Sequence, residues 1–281
     1  MSTVELTEPP RLGPLYRRAA LGALSRRGGD GLPDTTLVLR GLAVDRDHLA
    51  AYARVCGFRL ADTLPATYPH ILAFPLAMRL MSGADFPFPV VGMVHVANRI
   101  TVHRPIDAGE RLDLAVHAEH LRPHERGRQL DVVAVATVDG TEVWRGVSTY
   151  LRREKAGGGV RRDGGQRPAP PTPSAVWRVP ASTGREYAQV SGDRNPIHTS
   201  RLGARLFGFP RPIAHGMWSK ARCLAALDGW LPEAYTVDVA FKLPILLPAT
   251  VAFSGSPAEG FALHDARSGR PHLSASVTTA S

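Results

Sequence analysis

Between Tyr187 and His198 the chain reads Tyr-Ala-Gln-Val-Ser-Gly-Asp-Arg-Asn-Pro-Ile-His. Ser-Gly and Asn-Pro are turn-forming pairs, and either alone reads as an ordinary loop. That reading leaves Asp193 and His198 unexplained, a carboxylate and an imidazole five positions apart on one proline-stiffened loop. Such a loop can turn both side chains toward one point, and they are the commonest pair for proton transfer near neutral pH. The chemistry within reach is general acid–base catalysis.

Other reactive groups lack the company their chemistry needs. Ser191 has no Gly-x-Ser-x-Gly elbow around it. His117, His120 and His124 are close in sequence, but in a strand His117 and His120 point to opposite faces, so no metal is expected there or elsewhere. Gly28-Gly29-Asp30-Gly31 follows no apolar strand, which rules out a dinucleotide fingerprint, and no cofactor is expected. Cys56 and Cys223 stand outside any CxxC pair and read as two buried, reduced thiols of a cytoplasmic protein.

The elements that position the loop follow from local pattern. Thr183 to Glu186 reads as a capping box with Thr183 as N-cap, opening a helix that Gly192 stops in a left-handed turn. A second helical stretch runs from His215 to Leu227. Strands follow around Val237–Leu243, Ala249–Gly255, Phe261–Arg267 and His272–Val277. The first half repeats the plan: helices at Asp47–Val55 and His70–Met81, then strands at Val94–His103, Leu112–His120, Gln129–Val138 and Glu142–Tyr150. Two sequence matches support duplication. Tyr52 to Gly57 matches Tyr187 to Gly192, and the stretch around Pro105 matches that around Pro244. Between the halves, Arg153 to Ser174 is dense in Gly, Pro and Arg and reads as a linker. The expected division is residues 1–152, a linker 153–174, and residues 175–281 carrying the site. The expected class is α+β, one central helix wrapped by an antiparallel sheet, twice over. Counted from Gly57, Phe58 stands where Asp193 does and Thr63 where His198 does, so one site per chain is expected. The apolar helix with Leu72, Phe74, Leu76, Met78 and Met81 reads as core or as lining for an acyl tail.

The segment from Tyr187 resembles the signature of the MaoC-like, hydratase-2 family, Tyr-x-x-x-Ser/Gly-Gly-Asp-x-Asn-Pro-Ile/Leu-His. Leu206 to Met217 and Phe241 to Ala249 resemble two further family segments in the same order. Thr67-Tyr68-Pro69, Asp85 to Phe88 and Arg104-Pro105-Ile106 are similar to double-hotdog (3R)-hydroxyacyl-thioester dehydratases of the actinobacterial type. The resemblance implies a double hotdog fold and reversible dehydration of (3R)-3-hydroxyacyl thioesters to trans-2-enoyl thioesters in fatty-acid metabolism. It puts Asp193 and His198 around the departing water, without deciding which takes the α-proton. The backbone N–H of Gly216 would bind the thioester oxygen, Asn195 would orient the loop or the water, and His215 would touch substrate or brace the loop. The alternatives are an acyl-thioester hydrolase and a non-catalytic acyl-thioester binding subunit; the retained acid–base pair argues against the second.

Net charge is +9, from 34 Lys and Arg against 25 Asp and Glu. The excess favours an anionic partner. No nucleic-acid motif accompanies it, so acyl-CoA or acyl-acyl carrier protein fits better than nucleic acid. The apolar run Ala19–Leu24 is too short for a signal or a membrane span and reads as part of a short lead-in helix. No membrane insertion is expected, and family analogy implies a homodimer.

Overall fold

The computed structural model describes residues 2–22, 31–154, 170–256 and 258–279. Most of the expected linker, and the Gly28-Gly29-Asp30 stretch, lie outside the described residues.

The chain opens with strand β1 (Ser2–Leu6) and helix α1 (Leu12–Gly22). The first repeat follows as β2 (Thr35–Ala43), α2 (Arg46–Cys56), α3 (Tyr68–Met81), β3 (Met93–Val102), β4 (Arg111–His124), β5 (Gly127–Val138) and β6 (Thr141–Arg153). The second is β7 (Ala175–Val179), α4 (Thr183–Ser191), the short helices α5 (Pro196–Thr199) and α6 (Arg201–Leu206), α7 (Gly216–Ala226), β8 (Tyr235–Phe241), β9 (Ala249–Ser256), β10 (Gly260–Asp265) and β11 (Pro271–Thr279). All strands join one sheet in the order β1-β2-β4-β5-β6-β3-β8-β11-β10-β9-β7. Read outward from the β3–β8 seam, the halves are mirror lists: β3, β6, β5, β4, β2 against β8, β11, β10, β9, β7. Each half is thus one hotdog, and the expected two sheets are fused edge to edge.

Periodicity set the long elements, and burial explains why. The β4 strand alternates Leu112, Leu114, Val116 and Ala118 inward, the period-2 pattern of a half-buried sheet. Helix α3 is apolar nearly all round, with Ile71, Phe74, Leu76, Met78 and Met81 in the core. A helix of that kind is stable only wrapped by other structure. Its apolar side chains therefore pack in the core.

One local expectation fails. Helix α4 starts at Thr183 with Ser182 in the N-cap position and no side-chain cap, so the capping box does not form; the Glu186 N–H bonds the Ser182 carbonyl instead, at 2.9 Å. The lead-in helix begins at Leu12 and docks through Leu12, Leu15, Tyr16 and Ala19, an i, i+3, i+4, i+7 stripe. Strands β1, β2 and β7 were not foreseen. The outermost, β1 and β7, have a weak pattern, with little more than Val179 of β7 in the core, while β2 lies one strand in, between β1 and β4.

The seam is a pseudo-two-fold. Matching Pro105 with Pro244 also matches Arg99 with Asp238, and these two residues face each other across β3–β8. Their side chains pair at 2.8 Å. An isologous dimer of identical chains would set a residue on the axis against its own copy; a fused chain can set opposite charges there. Tyr52 and Tyr187, matched in the other repeat segment, likewise approach to 6.3 Å between ring centroids. Lys220 of α7 ties the halves together. Fully buried, it donates to the Asn98 side-chain oxygen at 2.7 Å, the Asn98 carbonyl at 3.0 Å and the Val237 carbonyl at 3.2 Å.

Candidate active site

Helix α4 stops because Gly192 takes φ 73°, a left-handed conformation natural to glycine, with its N–H on the Ala188 carbonyl. The next residues are locked by short-range bonds. The Asp193 N–H reaches Ser191 Oγ at 3.1 Å, and the Asn195 N–H reaches Asp193 Oδ1 at 3.2 Å. Asn195 Oδ1 then caps α5 by accepting the Ile197 N–H at 3.2 Å, with Pro196 opening the helix. Asn195 therefore orients the loop, and His198 arrives on the single turn that follows.

Asp193, His198 and His215 converge. One side-chain ligand atom from each lies within 4.8 Å of the others. His198 Nδ1 sits 2.8 Å from the Ile213 carbonyl oxygen. A carbonyl only accepts, so Nδ1 carries the hydrogen and Nε2 keeps its lone pair. His215 Nε2 faces the Asp193 carbonyl oxygen at 2.9 Å and is a donor by the same logic. Its ring stacks on His198 with centroids 3.6 Å apart. Two stacked imidazolium rings would repel, and burial already disfavours charge. His215 is pushed down to about 3, first by burial and then by His198. Burial also holds His198 below the ordinary imidazole value, against the pull of Asp193.

Asp193 feels opposed influences. Burial pushes its carboxyl up; His215, His198, the Asn195 N–H and the Tyr16 hydroxyl pull it down and prevail, so it stays below the usual carboxylate range. Because both imidazoles are neutral at pH 7, the hydrogen bonds carry that hold in the resting site. The trio's spacing is one a small cation could share. With one N–H of each ring committed to a carbonyl, it is also the tautomeric arrangement that proton transfer requires.

Gly216 begins α7, so its N–H belongs to the first turn, where a helix has no internal acceptors, and His215 supplies no side-chain cap. A Cβ at this position would come within 3.1 Å of the Phe241 ring. Glycine is what lets Phe241 close over the helix start. The ring of Phe241 in turn meets His95 at 5.1 Å, and His95 stacks on Tyr150 at 4.8 Å and lies 6.3 Å from His70. These first-half side chains sense the Asp193 charge. The far wall of the site is thus built by β3, β6 and α3. His95 Nε2 is buried there without a hydrogen-bond partner.

Sequence reasoning missed that wall, and it missed Tyr16. The Tyr16 hydroxyl lies 2.9 Å from the Gly192 carbonyl, 3.3 Å from Asp193 Oδ1, and accepts the Arg194 N–H at 2.8 Å. The docking stripe of α1 was legible as spacing; its destination was not. One cavity lies between the halves and another within the second. The larger, about 240 Å³, lies beside Phe58, Thr63 and Trp144 and holds none of the acid–base trio. The smaller, about 140 Å³, opens on His198 between Arg185 and Arg201. The smaller one thus touches a single member of the trio, His198, and the larger none.

Comparison with known proteins agrees with this architecture. A crystal structure of HtdX from Mycobacterium tuberculosis superposes with a TM-score of 0.78, at 38% identity, over 87% of this chain and 100% of that one. A conserved hypothetical protein of the same organism, described as a double hotdog, matches with a TM-score of 0.54 at 11% identity over 85% of this chain and 93% of that one, which bears on the fold alone. The fold is a double hotdog. The MaoC like domain family matches residues 166–259. The 3-hydroxyacyl-thioester dehydratase X of M. tuberculosis is 39% identical over 277 residues, 97% of this chain and 99% of that protein. The chain belongs to the MaoC-like dehydratase family. Among the described residues, no helix is long and apolar enough to cross a membrane.

Proposed function

We infer that the protein is a hydro-lyase that reversibly dehydrates (3R)-3-hydroxyacyl thioesters to trans-2-enoyl thioesters. The observation that carries this reading is the convergence of Asp193 and His198 beside the open N-terminus of α7. Removing an α-proton and expelling hydroxide needs a base, an acid, and a donor for the enolate-like thioester oxygen. In the hydration direction, both Asp193 and the Nε2 of His198 start unprotonated. A water held between them gives one proton to the pair while its oxygen bonds to C3. Charge pushed onto the thioester oxygen meets the Gly216 N–H, where a helix start favours it. The pair then delivers the proton to C2, and dehydration is the reverse. Asn195 and His215 brace the loop, and burial keeps His198 neutral.

The division of labour follows. Residues 175–281 supply the acid–base groups, residues 1–152 supply the far wall and α1, and 153–174 join them. Arg185 and Arg201, which line the cavity beside His198, suit an anionic thioester carrier, coenzyme A or acyl carrier protein. Two free, buried cysteines suit a reducing cytoplasm. A homodimer is the assembly we expect, and light scattering checks it.

Crotonyl-CoA and a longer enoyl-CoA added to the purified protein should lose their enoyl absorbance, and chiral analysis should return the (3R) product. Thiol release without loss of the enoyl group would replace this reading with a thioester hydrolase.

A further inference from the structure

Helix α1 precedes both repeats and belongs to neither. Yet it reaches across the molecule to the acid–base loop. Leu12 lies so close to Gly192 that a Cβ there would come within 2.4 Å of Leu12 Cδ1. One turn on, the Tyr16 hydroxyl touches three consecutive residues: the carbonyl of Gly192, the carboxylate of Asp193 and the N–H of Arg194. No other side chain in the described residues hydrogen-bonds all three.

We propose that Tyr16 is a positioning residue for the dehydratase reaction, its hydroxyl fixing the rotamer of Asp193 from outside the hotdog that supplies the loop. The role rests on the reading of Asp193 given above. A phenol has one proton and accepts through its oxygen. The oxygen is engaged by the Arg194 N–H, so the proton is left for two acceptors, the Gly192 carbonyl and Asp193 Oδ1. Burial, and then the Asp193 charge, keep the phenol protonated, so it is a donor at every working pH. The carboxylate needs such a donor. His198 and His215 are neutral, the Asn195 N–H already occupies Oδ1 from one side, and Tyr16 approaches the same oxygen from the other. With Oδ1 approached by the Asn195 N–H and by the hydroxyl, whose proton it shares with the Gly192 carbonyl, Oδ2 is the oxygen left toward the imidazoles, 3.8 Å from His215 Nε2. Without the hydroxyl, the Asn195 N–H is the one hydrogen bond left on the carboxylate, beside His215 Nε2 at 3.8 Å from Oδ2, and a carboxylate so loosely held can rotate.

The test is a double-mutant cycle on crotonyl-CoA hydration. In the native background Tyr16→Phe should lower kcat roughly tenfold, the scale of one hydrogen bond to a charged group, with KM changed less than about twofold. In an Asp193→Asn background the same change should cost less than about twofold, because the group it positions is gone. Incorporating 4-aminophenylalanine at position 16, which restores a donor, should recover part of the loss. A second readout needs no turnover and so stands apart from the dehydratase reading. The Asp193 carboxylate carbon, assigned by its disappearance in Asp193→Asn, should shift in the Tyr16→Phe spectrum and hold its place in Leu15→Ala, which loosens α1 but keeps the hydroxyl. An equal kcat loss in both backgrounds, an unchanged kcat, or a carboxylate resonance that moves only with Leu15→Ala would overturn the proposal.

Discussion

The two halves begin alike and part company after one residue. Gly57 and Gly192 both stop a helix in the left-handed region, at φ 82° and 73°. From there Gly192 leads into α5 and α6 before the central helix, whereas Gly57 reaches its central helix almost at once. Backbone contacts locate the difference. The Ala108 N–H bonds the Asp62 carbonyl as the Leu247 N–H bonds the Pro212 carbonyl, and the Leu64 N–H bonds Ile106 as the Ala214 N–H bonds Ile245. Isolated bridges join Thr63 to Asp107 and Ile213 to Leu246. Thr63 is therefore the counterpart of Ile213, and the count that set it against His198 is corrected. His198 has no counterpart. It rides on an insertion between Asp193 and Arg211, where the first half has only Phe58 to Ala61. The lesson is that the halves differ at the site by a whole loop segment and not by substitution alone.

The sharpest way to break that comparison is to disarm each loop. His198→Ala and Asp193→Asn should each lower kcat by roughly 10²–10⁴, as for removal of an acid or base, while Thr63→Ala should leave kcat within about twofold. A comparable loss at Thr63 in steady-state assays would mean the first-half loop contributes chemistry.

The seam comes next. Lys220→Met keeps the volume but strips donors from the Asn98 side chain and two carbonyls. Leaving buried acceptors unpaired costs about 1–3 kcal/mol each, softened by removing a buried charge. A net loss on the order of 3 kcal/mol in urea unfolding is expected. Unchanged stability would show that the halves hold without this tie.

The imidazoles at the site should make the fold sensitive to acid. Burial foremost pushes His70 to about 4 and His95 and His215 to about 3, while in the unfolded chain they titrate near 6.5. As pH falls through that window, the unfolded state takes up protons that the native state refuses. Stability is therefore full above about 6.5 and declines toward 4, by at most about 1.4 kcal/mol per imidazole per pH unit. Urea midpoints at pH 7.5 and 5 check the sign. Midpoints that hold or rise toward pH 5 would contradict it.

The smallest effect belongs to the pair on the axis. Arg99 and Asp238 are 60% and 41% exposed, and an exposed ion pair contributes about 0–1 kcal/mol. Arg99→Ala should barely move the melting temperature. A large drop would mean that the seam depends on this pair, contrary to its exposure.

Much of this was legible in the residues. Hydrophobic period gave α2, α3, α7 and the inner strands, because those elements each bury a face and burial is written as spacing. The left-handed stop at Gly192 and the Asp193–Asn195–Pro196–His198 loop were readable because turn chemistry is local. The edge strands and the missing cap at Thr183 were not, since neither is compelled by its own neighbourhood.

What the chain's order could not disclose was which distant groups would meet that loop. Tyr16 lies 176 positions from Gly192, and His70, His95 and Tyr150 belong to the other repeat. Contacts of that separation arise only when two packed layers bring their surfaces together, and nothing in a local pattern names the partner surface. Local sequence determined the type of chemistry and the loop that carries it. Tertiary packing decided the protonation states, the opposite wall, and the hydroxyl beside Asp193.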